Sequence, residues 1–467
     1  MGRCPVRAAM EHTVMTSRKQ FKARVRQRMA KTGESYTVAL RHFVRHPEAL
    51  HDPRPEPSET VSETVSETAG TARGSAAELL ADHGWRFLGG RHSHSASVTS
   101  VLVNAGVQVS EAAVFLAGGG IGAGYILWEF KEHDSRHLVL GFRNRWQYHD
   151  SFLDKALGRL GVPSRTHRTG GAKSAAAVLA AELDGGHPCV VLPDRYQIGY
   201  WGLPAHLDGH GGHPVVAYRR DASGVFVDDR GLVPVHVPQE RMDAARARVG
   251  SYKNISHVLE PVPIGEERLA AAVLDGLRDC AEHLSGSSDS FALPAWRKWA
   301  RMTGDRRNAK GWPKVFAGGR GLAGALLSIW EAAGPDGMDG GDLRDLFADG
   351  LAEAAALLDR PRLERLAAGF REIHDMWGEL ADAAFPADIP DYARMRELTA
   401  SVRLAVLTEG AIDLDAAAEL WRLRGAADAA PPPFDQEEHC AALGRGLAAI
   451  HEAETAAVAA LRTALAD

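Results

Sequence analysis

Three residues of this 467-residue chain have the types and the order that acyl transfer needs. Ser93 lies in Arg91-His92-Ser93-His94-Ser95, just ahead of an apolar, helix-like run. His213 closes His210-Gly211-Gly212-His213 and opens the β-like run Pro214-Val215-Val216-Ala217-Tyr218. Asp228 follows the next such run, Val225-Phe226-Val227, and is itself followed by Asp229. A hydroxyl at a helix start, an imidazole leading a strand and a carboxylate closing the next strand stand in the order nucleophile, base, orienting acid. Unpaired amides at the helix start could hold the oxyanion of a tetrahedral intermediate, each donor contributing roughly 10²–10³ in rate. A positioned imidazole contributes roughly 10²–10⁴. Each residue also has an ordinary use. Serine is a common N-cap, and a strand-end histidine often bonds a backbone carbonyl.

Other motifs point to less. His206, His210 and His213 read as H-x3-H-x2-H, enough imidazole for zinc. The spacing fits no metalloprotease helix, and Gly209, Gly211 and Gly212 argue against one helix presenting all three, so no metal is expected. Gly118, Gly120 and Ala123 satisfy GxGxxA, but the preceding Glu111 to Leu116 reads as helix and no βαβ unit surrounds it. Gly170-Gly171-Ala172-Lys173-Ser174 lacks the glycines a phosphate loop requires. No nucleotide or other cofactor is expected. The Gly118 to Gly124 run reads instead as a place where backbone approaches backbone, or a substrate, beside the nucleophile.

The elements that must position these residues are mixed. Ala76 to His83, Val98 to Ala105, Glu111 to Leu116, Asp150 to Leu160 and Ser174 to Leu183 read as helices. Leu138 to Phe142, Pro188 to Leu192, Pro214 to Tyr218, Val225 to Val227 and Val233 to Val237 read as strands. Helices first and clustered strands later predict an α+β domain over residues 76–264. From 265 to 467 strand signals vanish and Ala- and Leu-rich helical periodicity takes over, predicting an all-helical domain. Its tryptophans, Trp296, Trp299, Trp330, Trp377 and Trp421, read as core. Residues 1–75 differ. A basic, thinly amphipathic stretch over 16–45 reads either as a docking arm for an acidic partner or as a solvated helix with none. The Pro-rich and Ser-Glu-Thr-Val segment after it reads as a disordered linker.

Bulk properties narrow the class. A formal net charge of −6 gives no general reason to expect nucleic acid. The cysteines Cys4, Cys189, Cys280 and Cys440 are scattered without CxxC spacing, against a disulfide framework or thiolate zinc. No stretch of 18 apolar residues occurs and the first residues lack a signal-peptide core, so a soluble, cytoplasmic protein without membrane partners is expected.

With these residues in hand, the chain resembles the family of the butirosin-biosynthesis acyltransferase, protein H. The likeness is carried by Gly90 to Ser95, Val109-Ser110-Glu111 through Gly118 to Tyr125, His187 to Asp194, Gly212 to Val216 and Val225 to Asp228. In the helical part Gly340 to Phe347 and Trp377 look similar. The match spans roughly residues 85–385 and leaves 1–75 outside. The resemblance implies a papain-like fold followed by a helical domain. It also implies an enzyme of antibiotic and other secondary metabolism that moves an aminoacyl group from an acyl carrier protein thioester to an amine. The family nucleophile is a cysteine directly after the histidine matching His92, and here that position is Ser93. A thiol ionises far more readily than a hydroxyl, which needs an aligned base. Ser93 is therefore a working serine nucleophile, an inactivating replacement, or a sign that the role has moved. Cys189 does not supply the thiol, since it falls in a buried strand run.

The first expectation is an acyltransferase in which Ser93 attacks, His213 takes the proton and Asp228 orients His213. A small polar amine then resolves the acyl-enzyme. His92, His94, Gly119, Gly120, Asp194, Tyr196 and Tyr200 are the candidates for substrate contact. An amidase- or peptidase-type hydrolase of the same geometry, and a catalytically inactive binding or scaffold homologue, are the rival readings.

Overall fold

The computed structural model describes residues 84–130, 135–334 and 340–466. The predicted helix at 76–83, the basic stretch and the linker lie outside these residues. Trp85–Asp467 packs as one unit.

The chain enters it through α1 (Ser93–Asn104) and α2 (Glu111–Ala117), then the hairpin β1 (Ile121–Phe130) and β2 (Ser135–Arg143). There follow α3 (His149–Leu160), β3 (Ser164–Arg168), α4 (Ala172–Asp184), β4 (Cys189–Val191) and the single turn α5 (Arg195–Ile198). Next come β5 (Val215–Arg220), β6 (Gly224–Asp228), β7 (Val235–Pro238), α6 (Gln239–Arg248) and β8 (Ile255–Leu259). The remainder is helical: α7 (Glu266–Leu284), α8 (Pro294–Met302), α9 (Trp312–Val315), α10 (Leu322–Ala333), α11 (Arg344–Leu357), α12 (Arg362–Ala384), α13 (Pro390–Glu409), α14 (Leu414–Ala429) and α15 (Gln436–Ala466). An α+β part followed by an all-helical part is thus the observed architecture.

The main sheet has the order β3-β8-β4-β5-β6-β7, and its strand pairs are antiparallel. Its central strands are continuously apolar because both faces are covered. Val191, Val215, Ala217, Val225 and Val227 pack with Leu179 and Leu183 of α4 and Met242 of α6. The alternate residues Val190, Val216 and Tyr218 pack with Val98, Val101 and Leu102 of α1 and Leu153 and Leu157 of α3. The helix carrying Ser93 is therefore fixed against one face of the sheet that carries His213.

The helical part has its own core. Trp296, Trp299, Trp330 and Trp377 are buried in it, as the sequence predicts, together with Phe115 of α2 and Tyr125 and Phe142 of the hairpin. One buried polar cluster ties the hairpin to the helices. Arg344 donates from Nε and Nη2 to the two oxygens of Glu454, each at 2.8 Å, and also to the carbonyls of Gly122 and Phe142. The indoles of Trp296 and Trp377 donate to the same carboxylate. A buried guanidinium and carboxylate with these extra partners is the kind of pair that tolerates a dry interior.

Three strands escape the sequence reading. β1 holds Gly122 and Gly124, which read as part of a loop. A Cβ on Gly122 would lie 2.0 Å from the Arg143 carbonyl, so glycine is needed where the hairpin strands close up. β3 is short and polar, and β8 contains His257, whose Nδ1 pairs with the Thr166 hydroxyl on β3.

Candidate active site

Ser93 is the first residue of α1, whose helix starts there and not at Val98 as the sequence suggested. His92 is its N-cap: the ring Nδ1 accepts from the Ser95 amide at 3.3 Å, and the His92 carbonyl accepts from the Ala96 amide. Glu111 reinforces the cap, accepting from the amides of Arg91 and His92 and from the Ser95 hydroxyl. Burial raises the Glu111 carboxyl, against the pull of Arg91 and these donors. Capping by neighbours leaves the amides of Ser93 and His94 at the helix tip without an intrahelical acceptor.

His213 is delivered by the loop before β5. Asp194, fully buried, caps α5 through the Gln197 amide and accepts from the amides of Gly209 and Gly211. Gly212 lies so close to the Pro193 carbonyl that a Cβ would sit 1.8 Å from it. Only glycine allows that approach, and it sets where the next residue emerges. The Gly212 amide donates to the Tyr252 hydroxyl at 2.7 Å.

The carboxylate facing the imidazole is Asp229, not Asp228. His213 Nε2 lies 2.7 and 2.8 Å from the two oxygens of Asp229. Asp228 accepts instead from the Ser100 hydroxyl of α1 at 2.5 Å and the Trp85 indole at 3.0 Å. Successive strand residues point to opposite faces, and Asp228, paired with Val216, looks toward α1. Asp229 lies just past the strand end, before Arg230, whose φ of 58° is in the left-handed region. That sharp exit turns the carboxylate back onto His213. Tyr200 donates to Asp229 Oδ2 at 2.8 Å, and Arg230 lies against its other oxygen.

Electrostatics separate the two acids. Burial works to raise Asp229, but His213, Arg230 and Tyr200 hold it well below the usual carboxylate range. Burial lifts Asp228 to about 6, against the hydrogen bonds from Ser100 and Trp85 and with the help of the Asp229 charge. Burial lowers His213, Asp229 acts in the opposite direction, and Arg195 and Arg230 add to the lowering. An ionised Asp229 can only accept, so Nε2 carries the proton and Nδ1 carries the lone pair. That lone pair accepts from Arg195 Nε at 2.9 Å.

Ser93, His94 and His213 line one cavity of about 730 Å³. The Ser93 hydroxyl lies 3.5 Å from His94 Nδ1 and makes no hydrogen bond to His213. His94 is held neutral, well below the ordinary imidazole range, by burial and by the cationic and imidazole neighbours Arg143, His92, His149 and His213.

The family model for the N-terminal part of butirosin biosynthesis protein H matches residues 92–230, and a domain of unknown function (DUF4872) matches 240–402. The chain fits a butirosin biosynthesis protein H-like family. That family's name points to an acyltransferase-like part in antibiotic biosynthesis. No curated protein matches the chain. Among the described residues no helix is long and apolar enough to cross a membrane.

The other expected contact residues divide. His92 and His94 line the cavity. Gly119 and Gly120 do not: they turn α2 into β1 with φ of 111° and 64°, packed on Asn144 and Phe347. Asp194 orders the His213 loop, Tyr200 supports Asp229, and Tyr196 lines a neighbouring groove beside α14. Trp421, expected in the core, faces the cavity. His206 packs on Trp421 and His210 on His137, apart from the His213 pair with Asp229. Cys189 is buried with its thiol pushed up to about 12 by burial, which suits a core residue. Sequence reading missed Asp229 and Arg195. The Asp228-Asp229 pair was a visible signal for the first, whereas nothing local marks Arg195.

Proposed function

We propose that this chain is an acyltransferase that moves an acyl group from a thioester, carried by an acyl carrier protein, to an amine in secondary metabolism. Ser93 Oγ attacks the thioester carbonyl carbon and passes its proton to Nδ1 of His213. Asp229 keeps the ring in the matching tautomer and stabilises the imidazolium. The oxyanion lies against the amides of Ser93 and His94 at the tip of α1. The intermediate collapses, the carbon–sulfur bond breaks, and the thiolate leaves with the proton held by His213. An amine then attacks the acyl-serine carbonyl, gives its proton to His213, and Ser93 recovers a proton as its bond to the acyl carbon breaks.

One observation carries this reading: His213, paired with the buried Asp229, stands on the wall of the cavity that Ser93 also lines. The cavity volume suits a small ligand, since such sites run roughly 300–1,000 Å³. Its walls combine α1 and the His213 loop with α10, α13 and α14, through Glu331, Arg403 and Trp421.

Incubation with an acyl thioester, with and without a small amine, tests it. Amide product that disappears in Ser93→Ala supports the transferase. Free acid alone, unchanged by the amine, assigns the chain to hydrolysis. Turnover undiminished in Ser93→Ala contradicts both.

A further inference from the structure

Glu331 holds a carboxylate where the fold makes little use of one. It stands in the last turn of α10, where the helix dipole disfavours negative charge. It lines the cavity that Ser93 and His213 also line, and 29 % of its side chain is open. Among the described residues it is the one carboxylate on that wall. Arg424 Nη1 stands 3.9 Å away, beyond hydrogen-bond reach. The two arginines whose charge reaches Glu331 are also engaged elsewhere. Arg424 lies over the Trp421 ring at 5.0 Å, and Arg195 donates to His213. No described residue donates a hydrogen bond to the Glu331 carboxylate. A carboxylate drawn from water without donors is costly until something pairs with it.

The second half of the proposed reaction supplies a group of the matching kind. An aliphatic amine, like the lysine side chain with its pKa of about 10.4, meets neutral solution as an ammonium. An ammonium has three N–H donors and no lone pair, so it cannot attack a carbonyl. It must lose one proton before it attacks and a second as the amide forms. His213 takes the second in the proposed reaction, which leaves the first in need of another base. Removal from bulk water raises the Glu331 carboxyl, against the pull of Arg424 and Arg195, and a raised carboxyl is the better proton acceptor.

We propose that Glu331 binds the acceptor as its ammonium and takes the first proton from it, inside the cavity that holds the acyl-serine. The ammonium and the carboxylate become a neutral amine and a carboxylic acid. The amine nitrogen then bonds the acyl carbon, and its second proton passes to His213 and on to the Ser93 oxygen as the ester bond breaks. Glu331 returns its proton to water. This rests on the transferase reading, in which Ser93 carries the acyl group and His213 is the base.

Glu331→Gln, which keeps the shape and removes the charge, tests it with two nucleophiles. Ser93 is loaded from the N-acetylcysteamine thioester of acetate, and the acyl-enzyme is resolved with n-butylamine or with hydroxylamine. The first arrives as ammonium and the second is mostly uncharged at neutral pH. The ratio of the n-butylamine rate to the hydroxylamine rate should fall by at least about a hundredfold in Glu331→Gln, the lower range for a general base. An equal loss with both nucleophiles, or no loss with n-butylamine, overturns the proposal. A larger loss in the loading of Ser93 than in its release puts the carboxylate on the donor side and overturns the acceptor assignment. Calorimetry on the resting enzyme reads the ammonium site without any acyl transfer. The wild type should bind n-butylamine at least about tenfold tighter than n-butanol, as a hydrogen bond to a charged group allows, and Glu331→Gln should abolish the difference. Equal binding of the two by the wild type overturns the proposal, and that comparison decides alone if Glu331→Gln does not fold. Should no acyl-enzyme form in the wild type, the transferase reading fails while the binding comparison still decides the ammonium site.

Discussion

Asp229 grips His213 with both carboxylate oxygens, at 2.7 and 2.8 Å, while Asp228 one residue earlier turns to α1 and Trp85. The two acids are adjacent in sequence and separate in work. Asp229→Asn should lower acylation by on the order of 10²–10⁴, because an amide neither stabilises the imidazolium nor fixes the same tautomer. Asp228→Asn should leave most of the rate, since its carboxyl is already pushed up to about 6 and serves Ser100 and Trp85. Single-turnover acylation of the two variants checks this, and a reversed ranking would return the role to Asp228.

Much of this architecture was written in the chain. The α+β order and the helical remainder followed from periodicity, and the family likeness from a few motifs. Strands whose local pattern is atypical did not. β3 is polar, β8 carries His257, and β1 contains glycines whose reason is a strand-to-strand approach. At the site, Ser93 and His213 stood out by type and context. Asp229 was hidden by strand alternation, which cannot be read from the strand end until the exit turn at Arg230 is known. Arg195 was hidden because its partner depends on how α5 and the His213 loop fold together. Asp194 and Tyr200, expected at the substrate from their nearness to motifs, bond the Gly209 amide in the His213 loop and the Asp229 carboxylate.

The pH dependence has a definite sign. His213 lies below the ordinary imidazole range of about 6.5, through burial first, with Asp229 opposing. The neutral base therefore persists to lower pH, and the acid limb of kcat/KM should fall below 6.5. Asp229→Asn removes the raising influence and should move that limb further down. For stability, the unfolded histidine gains its proton before the folded one, so His213 disfavours the fold progressively as pH drops below 6.5. A pH–rate profile with its limb above 6.5 would contradict this assignment.

The buried Arg344–Glu454 pair predicts a stability effect away from the chemistry. Glu454→Gln leaves the guanidinium uncompensated where both side chains have no exposure, and should cost about 3–5 kcal/mol. Denaturant unfolding measures it. A loss below about 1 kcal/mol would show that this cluster does not hold the hairpin to the helices.

The central claim is that Ser93 is the nucleophile, at the position where the resemblance read from the sequence implies a cysteine. Peptide mapping by mass spectrometry after brief exposure to an acyl thioester tests it directly. The acyl mass should sit on the peptide containing Ser93, vanish in Ser93→Ala and return, at least as fast, in Ser93→Cys, whose thiolate is the stronger nucleophile. An adduct that survives in Ser93→Ala, or that maps to another residue, would contradict it.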